Sequence, residues 1–147
     1  MMHSFEEIVF SFPSYLEQLL AQKTYFFANL TEGKIKDHFG TNNPVPGVFV
    51  MFEKDEPVYV GRSKTLAQRI GVDLRSIQKS QATLTYRIYK AMNLESLRFK
   101  TMEDTRDYMY KYFTVKMFQI NDEYERAIFQ IYASMKLETK YNSFLES

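Results

Sequence analysis

Cysteine and tryptophan are absent from this chain, and its only histidines are His3 and His38. Without cysteine there is no disulfide framework and no thiolate metal site, and a reducing cytoplasmic setting fits. Both histidines read as surface residues. No apolar run approaches the roughly 18 residues that crossing a bilayer requires, so no membrane association is expected. The opening MMHSFEEIVF is acidic where an export signal would be basic, and export is not expected either. There is no internal repeat and no low-complexity segment. What is present is an ordinary globular composition, 45% apolar and 25% charged, over 147 residues, enough for one domain with one core. Thirteen Phe and eleven Tyr are first of all core-filling residues.

Net charge is also small, at +1, but it is unevenly spread. Between Arg62 and Lys116 there are twelve Lys/Arg against five Asp/Glu, a balance of +7, which leaves −6 for the rest. A basic middle in a neutral chain suits a phosphate-binding face, although solvated helix faces carry Lys and Arg as well.

Periodicity and caps divide the chain. Ser11 to Leu30 is predicted as one helix, with Ser14 and Glu17 as a capping box and Leu16, Leu19, Leu20, Phe27 and Leu30 on one face. Thr31 to Pro46 is polar, rich in Gly, Asn and Pro, and is predicted as a loop with room for a helical turn. Residues 47–53 and 57–61 alternate Val, Phe and Tyr around the charged turn Glu53–Glu56, which predicts a β-hairpin. Ser63 is placed to cap a helix running to about Lys79 through Leu66, Ile70, Leu74 and Ile77. A helix over about 82–92 follows, then a short strand at Leu97–Lys100. Thr101 with Asp104 caps a helix to about Tyr112, Thr114–Ile120 is a strand, and Asp122 caps a final helix. Its expected buried stripe is Tyr124, Ile128, Ile131, Tyr132 and Met135. The order implies a mixed α/β (α+β) domain with a short central sheet covered by helices.

The segment PGVFVMFEKDEPVYVGRSKTLAQRI, residues 46 to 70, carries the candidate chemistry. Alternation with Val58 and Val60 in the core turns Tyr59 to the opposite face. Gly61 permits close backbone approach or positive φ beside it. Arg69, two turns into the next helix, can reach back over the strand ends. A phenol that orients water and a guanidinium that neutralises charge on oxygen suit a phosphate. A Tyr–Arg pair suits a cation–π or packing contact equally well.

The same segment resembles the GIY-YIG nucleases. Gly47-Val48-Phe49 stands where the first signature triplet falls, and Tyr59-Val60-Gly61 where the second does. YVGRS followed by LxxRI, the later ATL at Ala82–Leu84, and the tail from Phe129 to Phe144 are similar to the small bacterial members. The resemblance covers residues 46–144 and leaves 1–45 as a helical extension and loop. It implies a small, mainly antiparallel sheet of about three strands flanked by helices. It also implies endonucleolytic, metal-dependent phosphodiester hydrolysis of nucleic acid, with DNA the expected form and Mg²⁺ or Mn²⁺ the cofactor. Tyr59 would orient or deprotonate water, Arg69 would stabilise the transition state, and Asn142 would match the terminal asparagine of the family. Arg62, Lys64, Arg75 and Lys79 would line the approach and contact phosphates.

Three positions depart from the family pattern. Phe49 keeps the ring of the first tyrosine and loses its hydroxyl. Asp73 stands where His or Tyr is usual. Gln130 occupies the position of the metal-binding glutamate, and an amide brings no negative charge to a hard cation. Three readings follow: an inactivating substitution introduced at 130, a ligand taken instead from Glu125, Glu123 or Asp73, or a domain that binds without cutting. Glu125 lies about 140° around the helix from Gln130, and acidic residues in a first turn complement the helix dipole in any case. Phe49 and Asp73 favour natural divergence. Hydrolysis is therefore expected to be impaired, and Tyr59, Arg69, Gln130 and Asn142 are expected to share one accessible cleft.

Overall fold

The computed structural model describes residues 4–78, 83–96 and 101–143. The predicted strand at 97–100, Lys79, Ala82, His3 and the end of the tail lie outside them. Four antiparallel strands form one sheet in the order β1-β4-β2-β3. They are β1 (Tyr25–Phe26), β2 (Gly47–Glu53), β3 (Glu56–Ser63) and β4 (Phe113–Gln119). The fold is α+β as expected, with a fourth, two-residue strand from the N-terminal segment pairing with β4. The hairpin is present, but only β2 is central, and β3 is an edge strand.

Helices cover both faces of the sheet. On one side Phe49, Met51, Val115 and Met117 pack against Leu66 and Ile70 of α4 (Leu66–Gly71), Leu84 and Ile88 of α5 (Thr83–Ser96), and Met109 of α6 (Met102–Tyr112). On the other, Val48, Val50 and Val60 pack against Phe12 and Leu19 of α2 (Phe12–Leu20), and against Phe129 and Ala133 of α7 (Glu123–Leu137). This double cover explains why β2 is apolar at almost every position. The hairpin turns at Lys54 and Asp55, both at positive φ, and the β2–β3 register shifts at Met51/Phe52. The bulge moves Val58 onto the same side as Tyr59, whereas Val60 takes the opposite side as expected.

Several boundaries differ from the sequence reading. The first predicted helix corresponds to α2 alone, with a separate α1 (Phe5–Phe10) ahead of it, and it ends at Leu20 rather than Leu30 because β-prone Tyr25-Phe26 leaves to join the sheet. Ser14 does not cap it, and instead its hydroxyl accepts from Gln18 Nε2 at 3.1 Å. The predicted loop contains α3 (Glu32–Phe39), capped by Thr31 and closed by Gly40 at φ 69°. The helix after Ser63 starts behind Thr65 and stops at Gly71, where a side chain would press on the α3 backbone at Glu32. His38 is not a plain surface residue: its Nδ1 lies 2.7 Å from the Tyr25 hydroxyl. Burial, with Lys23 nearby, lowers its pKa. No helix among the described residues is long and apolar enough to cross a membrane.

Candidate functional site

The matched residues gather around the free edge of β3, where Val60 N–H and C=O need partners from outside the sheet. Asn142 supplies both. Its Oδ1 accepts from Val60 N at 2.8 Å and its Nδ2 donates to Val60 O at 2.8 Å. Thr139 Oγ1 donates to Asn142 Oδ1 at 2.6 Å, and Tyr141 N donates to Val58 O at 3.0 Å. The tail thus borders the strand. Gln130 reaches the same point from α7, its Nε2 donating to Val60 O at 2.9 Å while its Oε1 accepts from Arg62 Nη1.

Phe49, Tyr59 and Gly61 lie on the other face of the hairpin. The Phe49 and Tyr59 rings are 6.0 Å apart, tilted at 53°. A Cβ on Gly61 would overlap Phe49 Cζ and stand 2.9 Å from Tyr59 Cε2, so the glycine makes room for both rings. Its φ is not positive, so close approach is its role. Arg69 is half-buried in the last turn of α4, the helix that packs on this face. Tyr59, Gln130 and Asn142 therefore meet at one strand but serve different sides of it.

The buried face of α7 is Arg126, Phe129, Gln130, Ala133 and Ser134, not the predicted stripe. Tyr124, Ile131 and Met135 are exposed. The signal was available in the spacing of Phe129 and Ala133, but the polar residues beside them masked it. Arg126 is the residue that the sequence reading missed. Its Nη1 donates to Ile120 O and Asn121 O, each at 3.1 Å, which fixes the guanidinium beneath a cleft of about 380 Å³. Arg62, Ser63, Lys64, Glu123, Tyr124 and Ala127 complete the lining.

The other candidates have structural partners. Arg75 donates to the carbonyls of Phe27, Leu30 and Ala28 and stacks on Phe27 and Tyr110, tying α3's approach to the core. Asp73 accepts from Gln68 Nε2 at 3.1 Å. Glu125 accepts from the Tyr15 hydroxyl. That bond, with burial and the carboxylate charge, pushes Tyr15 up to about 12. Arg87, Arg106 and Lys116 also donate to backbone carbonyls, so much of the basic middle is internal.

Comparison with family models, curated proteins and solved structures found no match. The GIY-YIG likeness therefore rests on the residues themselves. Those residues fit a divalent ion poorly. Gln130 is an amide, and its oxygen already holds a guanidinium, which repels a second cation. Among the described residues no three His, Cys, Asp or Glu side chains gather as a metal site.

Phe49 is wholly buried. Restoring the family hydroxyl would set an O–H on Cζ against Gly61, in apolar surroundings. Phe49→Tyr is expected to lower unfolding free energy by about 1–2 kcal/mol in urea titration. An unchanged or higher stability would mean that a partner for the hydroxyl is already in place.

Proposed function

We propose that this chain is a nucleic-acid-binding domain on a GIY-YIG-like fold, gripping phosphates with Arg62 and Lys64 and hydrolysing them very slowly or not at all. The observation that carries this reading is the double bond pattern of Gln130. An amide can donate to Val60 O and accept from Arg62 at once, whereas a carboxylate can only accept. Glutamine at 130 is thus suited to bracing the strand edge and presenting Arg62, and poorly suited to holding a metal ion. Arg62 and Lys64 are exposed, as phosphate contacts must be. DNA in the cytoplasm is the expected setting. Retention of Tyr59 and Arg69 supports a second reading, an endonuclease weakened by Gln130.

Two measurements separate these. Affinity for a DNA duplex should fall steeply with salt, with a log–log slope of about −0.9 per phosphate contacted. Cleavage with Mg²⁺ or Mn²⁺ should be undetectable in the unaltered chain. Gln130→Glu should raise it less than about tenfold, a barrier change of about 1.4 kcal/mol, because Arg62 pairs with the new carboxylate. A rise of a hundredfold or more would favour the endonuclease. Absence of salt-dependent binding to duplex and single strand alike would remove both readings.

A further inference from the structure

Resting on the nucleic-acid reading above, we infer that the cleft between the end of β3 and the start of α7 takes an unpaired strand, one phosphate between Arg62, Lys64 and Arg126 and a neighbouring base on Tyr124. The lining holds three cations against the single carboxylate of Glu123. Arg126 is 6% exposed and held by two carbonyls, so its charge is fixed in place before any ligand arrives. Arg62 is steadied from the side by Gln130. Lys64 is exposed and can close on the ligand.

Tyr124 decides the class of ligand. Tyr124, in the first turn of α7, is 58% exposed and lines the cleft beside the cations. Cations along a groove with an open aromatic face are what single-strand binding uses: charge follows the backbone while the ring stacks on a base. A base inside a duplex already has its faces covered, and it cannot reach that ring without unstacking. Stacking reads no hydrogen-bond pattern, so the cleft selects unpaired structure rather than sequence. The first-turn acidic residues already complement the dipole of α7, so the helix end adds little to the site.

Fluorescence anisotropy with a labelled twelve-residue thymidine strand, and with a duplex of the same length, tests this. Tyr124→Ala should weaken single-strand binding about tenfold, with Tyr124→Phe retaining it, and duplex binding should change less than about twofold. Lys64→Ala should reduce the single-strand salt slope by about 0.7. Both side chains are exposed, so neither change threatens the fold. If the single strand binds with salt dependence and neither variant alters it, the cleft is not the site while nucleic-acid binding stands. Equal losses on strand and duplex with Tyr124→Ala would overturn the selectivity. If the unaltered chain binds neither probe, this inference and the functional reading fall together.

Discussion

Gly61→Ala should destabilise the protein by about 3 kcal/mol, the upper part of the range for overpacked cores. Without a clash the sign would be opposite. Gly61 lies in β3 at a φ open to any residue, and alanine there would restrict the unfolded chain and gain about 0.4–1 kcal/mol. The clash decides. The added methyl would overlap Phe49 Cζ and lie 2.6 Å from Phe49 Cε1 and 2.9 Å from Tyr59 Cε2. Phe49 is at 0% exposure, so its ring has nowhere to swing. Urea titration at constant m gives the loss directly. A double-mutant cycle tests the cause: in a Phe49→Ala background, Gly61→Ala should cost close to nothing, leaving a coupling of about 3 kcal/mol. Additive losses would mean that the Tyr59 ring, not that of Phe49, resists the methyl. The same cycle bears on function, because Phe49, Tyr59 and Gly61 are the signature positions on which the family likeness rests.

How much of this was legible depended on whether local signals agreed. The hairpin was readable because β-rich residues flank a charged turn. Thr101 and Asp122 were readable as caps because each side-chain oxygen accepts the backbone N–H three residues on, from Asp104 and Glu125. α3 was legible only as room for a helical turn in a loop, although Thr31 and Gly40 mark both its ends, since only Ile35 and Phe39 are strongly apolar within it. In α7 hydrophobic periodicity chose the wrong face. Arg126, Gln130 and Ser134 are buried because backbone carbonyls accept their hydrogens, a compensation that no count of apolar residues registers.

For the site, sequence spacing brought Gln130 and Asn142 to Tyr59's strand without showing what they do there. Their contacts depend on an edge strand that lacks a neighbour, which is a property of sheet order. Arg75 looked like a phosphate contact because a guanidinium on a basic helix usually is solvated. Only the fold reveals the three carbonyls that it bonds.

Asn142→Ala should cost about 2–3 kcal/mol, whether or not the protein acts on any ligand. The two ends of Val60 fare differently. Its carbonyl keeps Gln130 Nε2 at 2.9 Å, but its N–H loses its side-chain partner in a residue at 0% exposure. An orphaned buried donor costs about 1–3 kcal/mol, and the Thr139 hydroxyl loses its acceptor as well. Asn142→Asp separates the two bonds. The carboxylate still accepts from Val60 N and Thr139, but its second oxygen now faces Val60 O where an amide had donated. That repulsion raises the folded-state pKa of the new carboxyl above its unfolded value of about 3.9. Stability relative to the unaltered protein is then greatest below pH 4, where the protonated acid can donate, and is lost as pH rises through the raised value. Thermal or urea unfolding of both proteins from pH 4 to 8 measures the difference. A pH-independent gap would place the loss in packing rather than in the bond to Val60 O. No loss with Asn142→Ala would mean that the tail borders β3 without bracing it, the strand edge being held by Gln130 instead.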